Sequence, residues 1–318
     1  QIYIGNPGDE ESFTNLLTLI DPEFRANGYQ TVDTLSNQST YEEVVSNIDI
    51  ENFINYQVAH IYLNNSDWPH NNVRFWKNKG KQRSEPKGIS GYDTLDGKWR
   101  WMFMDTDHGF SEPSNNTLLY ATIGSEYKFS TFLIRNLLTN DQFKTQFINA
   151  FADQLNTSFR EEVVLNRINE FELVYLPEIT GQINRWGNLG GSIESWQMKV
   201  GELRTSAKLR PIYLRQHIVD YFNLPGLAEL KVQTNVQQGY VRVNSVELVE
   251  AAVGVDDPAN WTGVYFQGVP IEIEAIPFNG FHFVRWEGVD SNRVIVEANP
   301  LQIELISDLS IIAVFSKD

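Results

Sequence analysis

The sequence contains no cysteine in its 318 residues. That excludes a disulfide framework, a cysteine nucleophile and a thiolate-held zinc. It is compatible with an exported bacterial protein. No run of about 18 apolar residues occurs, so no segment is expected to cross a bilayer as a helix. Positive charge is scarce, with 25 Lys and Arg against 41 Asp and Glu and a net charge of −16. Such a surface repels phosphate backbones and anionic lipid, so neither nucleic acid nor membrane is an expected partner. A substrate carrying several phosphates needs a metal or a local basic patch. No glycine-rich phosphate loop is present, and no lysine precedes Lys77. The opening "QIYIGNPGDEESF" has neither a basic stretch nor an apolar run, so no signal peptide is expected in it. The chain reads as a piece of something longer.

What is present suffices for a large core. The hydrophobic content of 42% and the length suggest two domains. Up to Phe222 the pattern is mostly helical. "STYEEVVSNI" pairs Ser39 with Glu42, the spacing of a capping box. Asp49 is placed to cap "IENFINYQVAHIYL", where Phe53, Tyr56, Ala59 and Leu63 recur at helical spacing. Between Val73 and Phe110, "VRFWK" and "KWRWMFMD" alternate bulky and polar residues as strands do. The turn-rich "NKGKQRSEPKGISGYDTLDG" between them reads as a long hairpin loop. Helices resume near Tyr127. Asp141 is placed as the cap of "DQFKTQFINAFADQL", Ser192 marks a helix start, and Pro211 suits the first turn of a further helix. "NLPGLAE" (223–229) reads as a boundary. After it, "LKVQTN", "GYVRVN", "GVPIEIEAIP", "FHFVRWEG", "RVIVEA", "LQIELI" and "SIIAVFS" alternate at short intervals, as in a small sandwich. The expected class is α+β. A mostly helical domain with a small hairpin (1–226) precedes an all-β, sandwich-like domain (227–318).

Two loops carry the chemistry. In "NNSDWPHNNVRFWKNKG", Asp67 stands five residues before Asn72. In "WRWMFMDTDHGF", Asp105 and Asp107 close an aromatic strand, and Asp107-His108-Gly109 has the form Asp-x-Gly. Phosphoryl transfer needs a carboxylate to orient the attacking hydroxyl. It also needs oxygen ligands, an amide and a further carboxylate, to hold magnesium on the nucleotide phosphates. In protein kinases the first two sit five residues apart on one loop, and the third opens an Asp-x-Gly turn.

"ENFINYQVAHIYLNNSDWPHNNVRFWK" followed by "GKWRWMFMDTDHGF" resembles the core of the CotH kinase family, the spore-coat protein H-like atypical kinases. The resemblance covers roughly residues 10–222, including Trp186, Trp196, Arg204 and Arg215, and is most specific at 51–77 and 98–110. It implies a kinase-like C-lobe; nothing before residue 50 reads as the small lobe, which was either cut away or never present. It implies ATP and Mg²⁺ (or Mn²⁺) as cofactors and transfer to protein Ser/Thr hydroxyls in the intact parent. Asp67 would be the catalytic base and Asn72 a metal ligand, with Asn71 a neighbouring candidate. Asp105 matches the family's metal step, whereas the Asp-x-Gly reading favours Asp107, so both stand as metal candidates. Lys77, with Lys79 and Lys81, could touch phosphate; a solvated hairpin surface is the plainer use. The C-terminal part is similar to divergent internalin-type B repeats, which implies a secreted or cell-surface bacterial protein with a protein substrate or surface partner.

Plainer and rival readings remain open. Asp67 could cap a loop, and Asn72 could serve a turn through its tolerance of left-handed backbone. His70 and His108 could join the aspartates in a transition-metal site. Asp-Thr-Asp resembles the metal step of nucleotide-sugar glycosyltransferases, and paired carboxylates among aromatics also suit glycoside hydrolysis. Trp261 and Tyr265 could form a ligand platform, with a place in the sandwich core or at its edge as the commoner use. His60 is expected to pack on a helix face. A non-catalytic surface scaffold or glycan-binding protein with a degenerate kinase core is the alternative function.

Overall fold

The computed structural model describes residues 5–79, 96–123, 129–187, 191–288 and 296–318. The central part of the expected hairpin loop, Lys81, Tyr127 and the start of the "RVIVEA" strand lie outside them. Helices and strands are both abundant and largely segregated along the chain, an α+β arrangement. Two compact units divide the chain. One comprises Gln1–Ser111 and Asn116–Phe147, the other Glu112–Asn115 and Ile148–Asp318.

The first unit contains α1 (Glu11–Ile20), a 3₁₀ turn (Thr34–Ser36), α2 (Gln38–Ser46), α3 (Ile50–Leu63), β1 (Phe75–Lys77), β2 (Trp99–Trp101), α4 (Thr117–Ile123), α5 (Phe132–Leu137) and the start of α6 (Asp141–Asn156). Asp49 caps α3 as expected, accepting from the Asn52 N–H at 3.1 Å. Its second oxygen takes the Arg100 Nε of β2 at 2.8 Å, and Asp96 takes both terminal nitrogens of Arg100. The Asn52 side chain bonds the Trp101 backbone in both directions. Helix α3 is thereby fixed to the strand that leads to Asp105. β1 and β2 pair antiparallel, Phe75 opposite Trp101 and Lys77 opposite Trp99. Phe13 of α1 lies against Phe75 at 4.3 Å between ring centroids. Phe53 of α3 packs edge-on against Trp101.

Three local expectations are corrected in this unit. α2 starts at Gln38 and is capped by Asn37, whose Oδ1 accepts from the Thr40 N–H, not by Ser39 with Glu42. The preceding 3₁₀ turn leaves Asn37 as the extended residue from which the helix departs. Likewise Asn140, not Asp141, receives the Phe143 N–H, while its amide reaches the Leu35 carbonyl. That tertiary bond selects it, and Asp141 becomes a first-turn residue paired with Lys144. Helical structure also resumes before Tyr127, at Thr117, whose hydroxyl bonds the Asn64 side chain.

The second unit holds the rest of α6, two long helices, α7 (Glu161–Trp186) and α8 (Ile193–Phe222), and a two-sheet β module. Ser192 caps α8 as expected, accepting from the Ser195 N–H. Pro211, expected to open a new helix, lies inside α8. An interior proline removes one backbone bond and costs roughly 3 kcal/mol. Burial of Ala207, Leu214 and Ile218 around it offsets that cost, as do the bonds from the buried Arg210 to the Pro113 and Asn115 carbonyls.

The module's strands are β3 (Leu227–Thr234), β4 (Gly239–Val243), β5 (Val246–Glu247), β6 (Asn260–Phe266), β7 (Pro270–Pro277), β8 (Phe281–Glu287), β9 (Leu301–Glu304) and β10 (Leu309–Lys317). They form two four-stranded sheets, β6-β3-β10-β8 and β5-β4-β7-β9, antiparallel except for the β3–β10 pair. Alternate residues turn inward, among them Leu230, Val232, Ile311, Val241, Val243, Ile271 and Ile273. The Phe315 ring of β10 lies over Gly239 of β4, where a Cβ would meet it at 2.7 Å. Trp261 and Tyr265 are buried in this core and present no platform.

A polar stripe on α6 meets the module. Asn149 donates to the Pro270 carbonyl at 2.7 Å. Asn156 donates to the Val264 carbonyl and accepts its N–H, imitating a neighbouring strand beside β6. Asp153 receives the Ser245 N–H and hydroxyl, the Asn244 amide and the Tyr265 hydroxyl.

Candidate functional site

Helix α3 ends at Asn64, whose left-handed backbone (φ 53°) turns the chain out of the helix. Its amide donates to Ser111 Oγ at 2.7 Å, and that hydroxyl returns a bond to the Asn64 carbonyl. The Asp67 loop therefore starts from a fixed point. The second loop leaves β2 and turns at Asp105, also left-handed with φ 55°. Asn72 (φ 57°) and Phe110 (φ 53°) share this conformation. Asn and Asp tolerate it best, whereas a bulky residue such as Phe110 is strained there. Such strain is held only where surrounding bonds over-determine the backbone.

Those bonds run between the two loops. The Ser66 N–H donates to the His108 carbonyl at 3.2 Å, and the Phe110 N–H to the Leu63 carbonyl at 2.6 Å. Asn65, fully buried, spans the gap. Its Oδ1 accepts the Asp67 N–H at 3.2 Å, and its Nδ2 donates to the Asp105 carbonyl at 3.0 Å. Behind it, His60 is fully buried and stacked on Trp68, with ring planes 4° apart and centroids at 4.9 Å. The Trp68 indole donates to the Tyr56 hydroxyl. Burial lowers the His60 pKa to about 4, so the ring is neutral.

The structure thus brings Asp67, Asn72, Asp105 and Asp107 to the mouths of two stitched loops. Asp67, half-buried, accepts Asn71 Nδ2 at 3.0 Å on one oxygen and Asn72 Nδ2 at 2.8 Å on the other. His70 Nε2 stands 3.6 Å from Asp67. Asn72 is thus both a left-handed turn residue and a side-chain partner of Asp67. Asp105 and Asp107 are exposed, and their carboxyls stand close together. Hydrogen bonding to the Asp107 carboxyl is the main reason the Asp105 pKa is raised; slight desolvation and the negative charges of Asp107 and Asp67 add to it. Asp67 is therefore near enough for its charge to act on Asp105.

Lys77 is not brought to this cluster. It closes the far end of β1, opposite Trp99, whereas Asn72 and Asp105 extend from the other end of the same hairpin. Its ammonium donates to Ser12 Oγ at 3.2 Å and lies 5.6 Å over the Trp99 ring. Lys79 is paired with Asp9.

A family model described as CotH kinase protein matches residues 1–214, about two thirds of the chain. The chain belongs to the CotH kinase family. No curated protein and no solved structure gives a match. The match ends inside α8, so the β module lies outside what defines this CotH chain as a family member.

Membership makes nucleotide and metal use a family-level expectation, and the residues can be tested against it. Among the described residues, no three His, Cys, Asp or Glu side chains form a metal-holding group. Magnesium does not require one, because it keeps several waters and takes one or two carboxylates beside substrate phosphates. Asp105 and Asp107 offer hard oxygens whose mutual repulsion a cation would relieve. Asn72 turns its nitrogen to Asp67, leaving its oxygen for another partner. The donor set fits a magnesium-nucleotide complex. Sequence reasoning missed Asn65. Asn65 stands two residues before Asp67, where the resembled loop has its Asn-x-Asp pattern, but its bonds to Asp105 and His60 are set by tertiary structure, so that pattern assigns it no role.

Proposed function

We propose that this chain carries the phosphoryl-transfer centre of a CotH-type protein kinase, acting on protein Ser/Thr hydroxyls. The observation that supports it best is the meeting of the Asp67–Asn72 pair with Asp105 and Asp107 across loops joined by Asn65. In this reading Asp67 orients the incoming hydroxyl and takes its proton. Asn71 and Asn72 hold its two oxygens in place, and each oxygen keeps a lone pair for that proton. Asp105, with Asn72 Oδ1 and Asp107, would hold Mg²⁺ or Mn²⁺. Bound Mg·ATP would supply the phosphoryl group and neutralise charge on it. Lys77, turned to Ser12 and Trp99, has no part in this reading. The 1–226 and 227–318 division stays part of the proposal, the second part being a presenting module on a secreted or cell-surface bacterial protein.

The test is phosphate transfer from labelled ATP to a mixed protein acceptor, by this chain and by any longer natural form. Mg²⁺-dependent labelling that is lost in Asp67→Asn and in Asp105→Ala supports the reading. Labelling that persists in both variants removes it. One observation favours a second reading, a binding scaffold with a degenerate kinase core. Both Asp67 oxygens are already engaged by amides. A wild-type chain that binds neither Mg·ATP nor Mn·ATP by calorimetry would favour that scaffold.

A further inference from the structure

The amide of Asn65 is held one way round by its neighbours. Its oxygen faces the Asp67 N–H, and its nitrogen faces two acceptors, the Asp105 carbonyl and His60 Nδ1 at 3.3 Å. A carbonyl can only accept, and an N–H can only donate. Reversing the amide would set Oδ1 against the Asp105 carbonyl and Nδ2 against the Asp67 N–H, losing both loop bonds. His60 Nδ1 must likewise be the bare nitrogen, which puts the ring proton on Nε2. That atom is buried and has no partner among the described residues, as is Gln57 Oε1 one turn earlier on α3. The His60 ring cannot swing to another arrangement, because Trp68 stacks on one face, Tyr56 meets it edge-on at 4.6 Å and Phe103 leans on it at 4.8 Å.

We infer that Asn65, oriented by the bare Nδ1 of His60, is the positioning residue that sets the spacing between the Asp67 loop and the Asp105 loop. The inference rests on the phosphotransferase reading only for its consequence, since the geometry itself needs no ligand. Neither side chain is a candidate to touch nucleotide or acceptor. Asn65 fixes the backbone N–H of one acting residue and the backbone C=O of the other. A change there alters where both carboxylates stand without altering either.

Two measurements on the full chain test it. The first is amide hydrogen exchange at Ser66 and Phe110, whose N–H groups stitch the loops, with Leu137 of α5 as an internal reference. Asn65→Asp keeps an acceptor for Asp67 but loses both donors. His60→Phe keeps an aromatic ring on Trp68 but loses the acceptor. Either should speed exchange at Ser66 and Phe110 by about 10-fold or more, with Leu137 unchanged. His60→Asn, which can place an amide oxygen where Nδ1 stands, should restore slow exchange. Unchanged exchange at both stitches, or equal acceleration at Leu137, overturns the inference. The second is calorimetric titration with Mn·ATP, with Asp105→Ala as the control for the phosphotransferase reading. A misplaced shell weakens such a site by roughly 10–100-fold. Binding that is lost in Asp105→Ala yet untouched in Asn65→Asp also overturns the inference. No binding by the wild type sinks the phosphotransferase reading, and the exchange result alone then decides the positioning role.

Discussion

Asp105 and Asp153 both hold a proton more tightly than a carboxyl in water, for opposite reasons. Asp105 is exposed, and its rise comes chiefly from hydrogen bonding to Asp107, then from slight desolvation and neighbouring negative charge. Asp153 is enclosed, and burial alone raises its pKa to about 6 against four donated hydrogen bonds that pull the other way. Crowded charge in the open is relieved by an arriving cation. A single charge surrounded by fixed donors has nothing left to recruit. The first arrangement is what a binding site looks like before its ligand, the second what a structural joint looks like when finished. A perturbed carboxyl therefore points to function only when its cause is known.

The comparison breaks most visibly through substitution. Asp105→Asn, which keeps a residue that tolerates the left-handed backbone, should lower Mg²⁺-dependent phosphate transfer by roughly 100-fold or more while leaving the melting temperature unchanged. A transfer rate near wild type would move the metal role to Asp107 or end it. Asp153→Ala should do the reverse. It strands the Ser245, Asn244 and Tyr265 donors in a closed space and should cost about 3 kcal/mol in chemical denaturation, with binding at the Asp67 loop intact. A loss below about 1 kcal/mol would show that water reaches those donors.

Titration sharpens the contrast. The folded pKa of Asp153 lies above the ordinary 3.8, so the folded chain holds the extra proton between pH about 4 and about 6. Its contribution to stability is complete below that window and is lost as pH rises through it, by an amount on the order of 1–3 kcal/mol. Asp153→Asn should flatten this part of the stability profile; an unchanged slope assigns the effect elsewhere. Asp105 should answer to metal instead. Millimolar Mg²⁺ should lower its pKa, seen in its carboxyl carbon shift by NMR, and leave Asp153 unmoved. The smallest effect is expected at the far end of the hairpin. Lys77→Met should change nucleotide affinity by less than about twofold and stability by about 0.5–1 kcal/mol, the scale of one exposed cation–aromatic contact.

What the sequence made legible follows the range of the forces involved. Asp49 and Ser192 cap helices through bonds spanning three residues, and both were readable from local pattern. The pairing of β1 with β2 and most strands of the β module followed from alternation. Asn37 and Asn140 displaced the expected caps because a preceding turn and a distant carbonyl chose between neighbouring candidates. Pro211 reads as a helix start in any short window, and only the buried face around it keeps α8 continuous. The four acidic and amide residues of the two loops were visible as spacing. Their meeting was visible only as a resemblance, and the Asn65 bridge was not visible at all, since it spans forty residues to Asp105.

The two hydrogen bonds between Asn156 and Val264 have a consequence for how copies of this molecule meet. β6 is the outer strand of its sheet, and an outer strand ordinarily presents free N–H and C=O groups to any extended chain that drifts past. Here a helix side chain already occupies the middle of that row, speaking the backbone's own donor-acceptor language. A passing strand finds the template interrupted, and fibre-like stacking along this margin has no continuous track to follow.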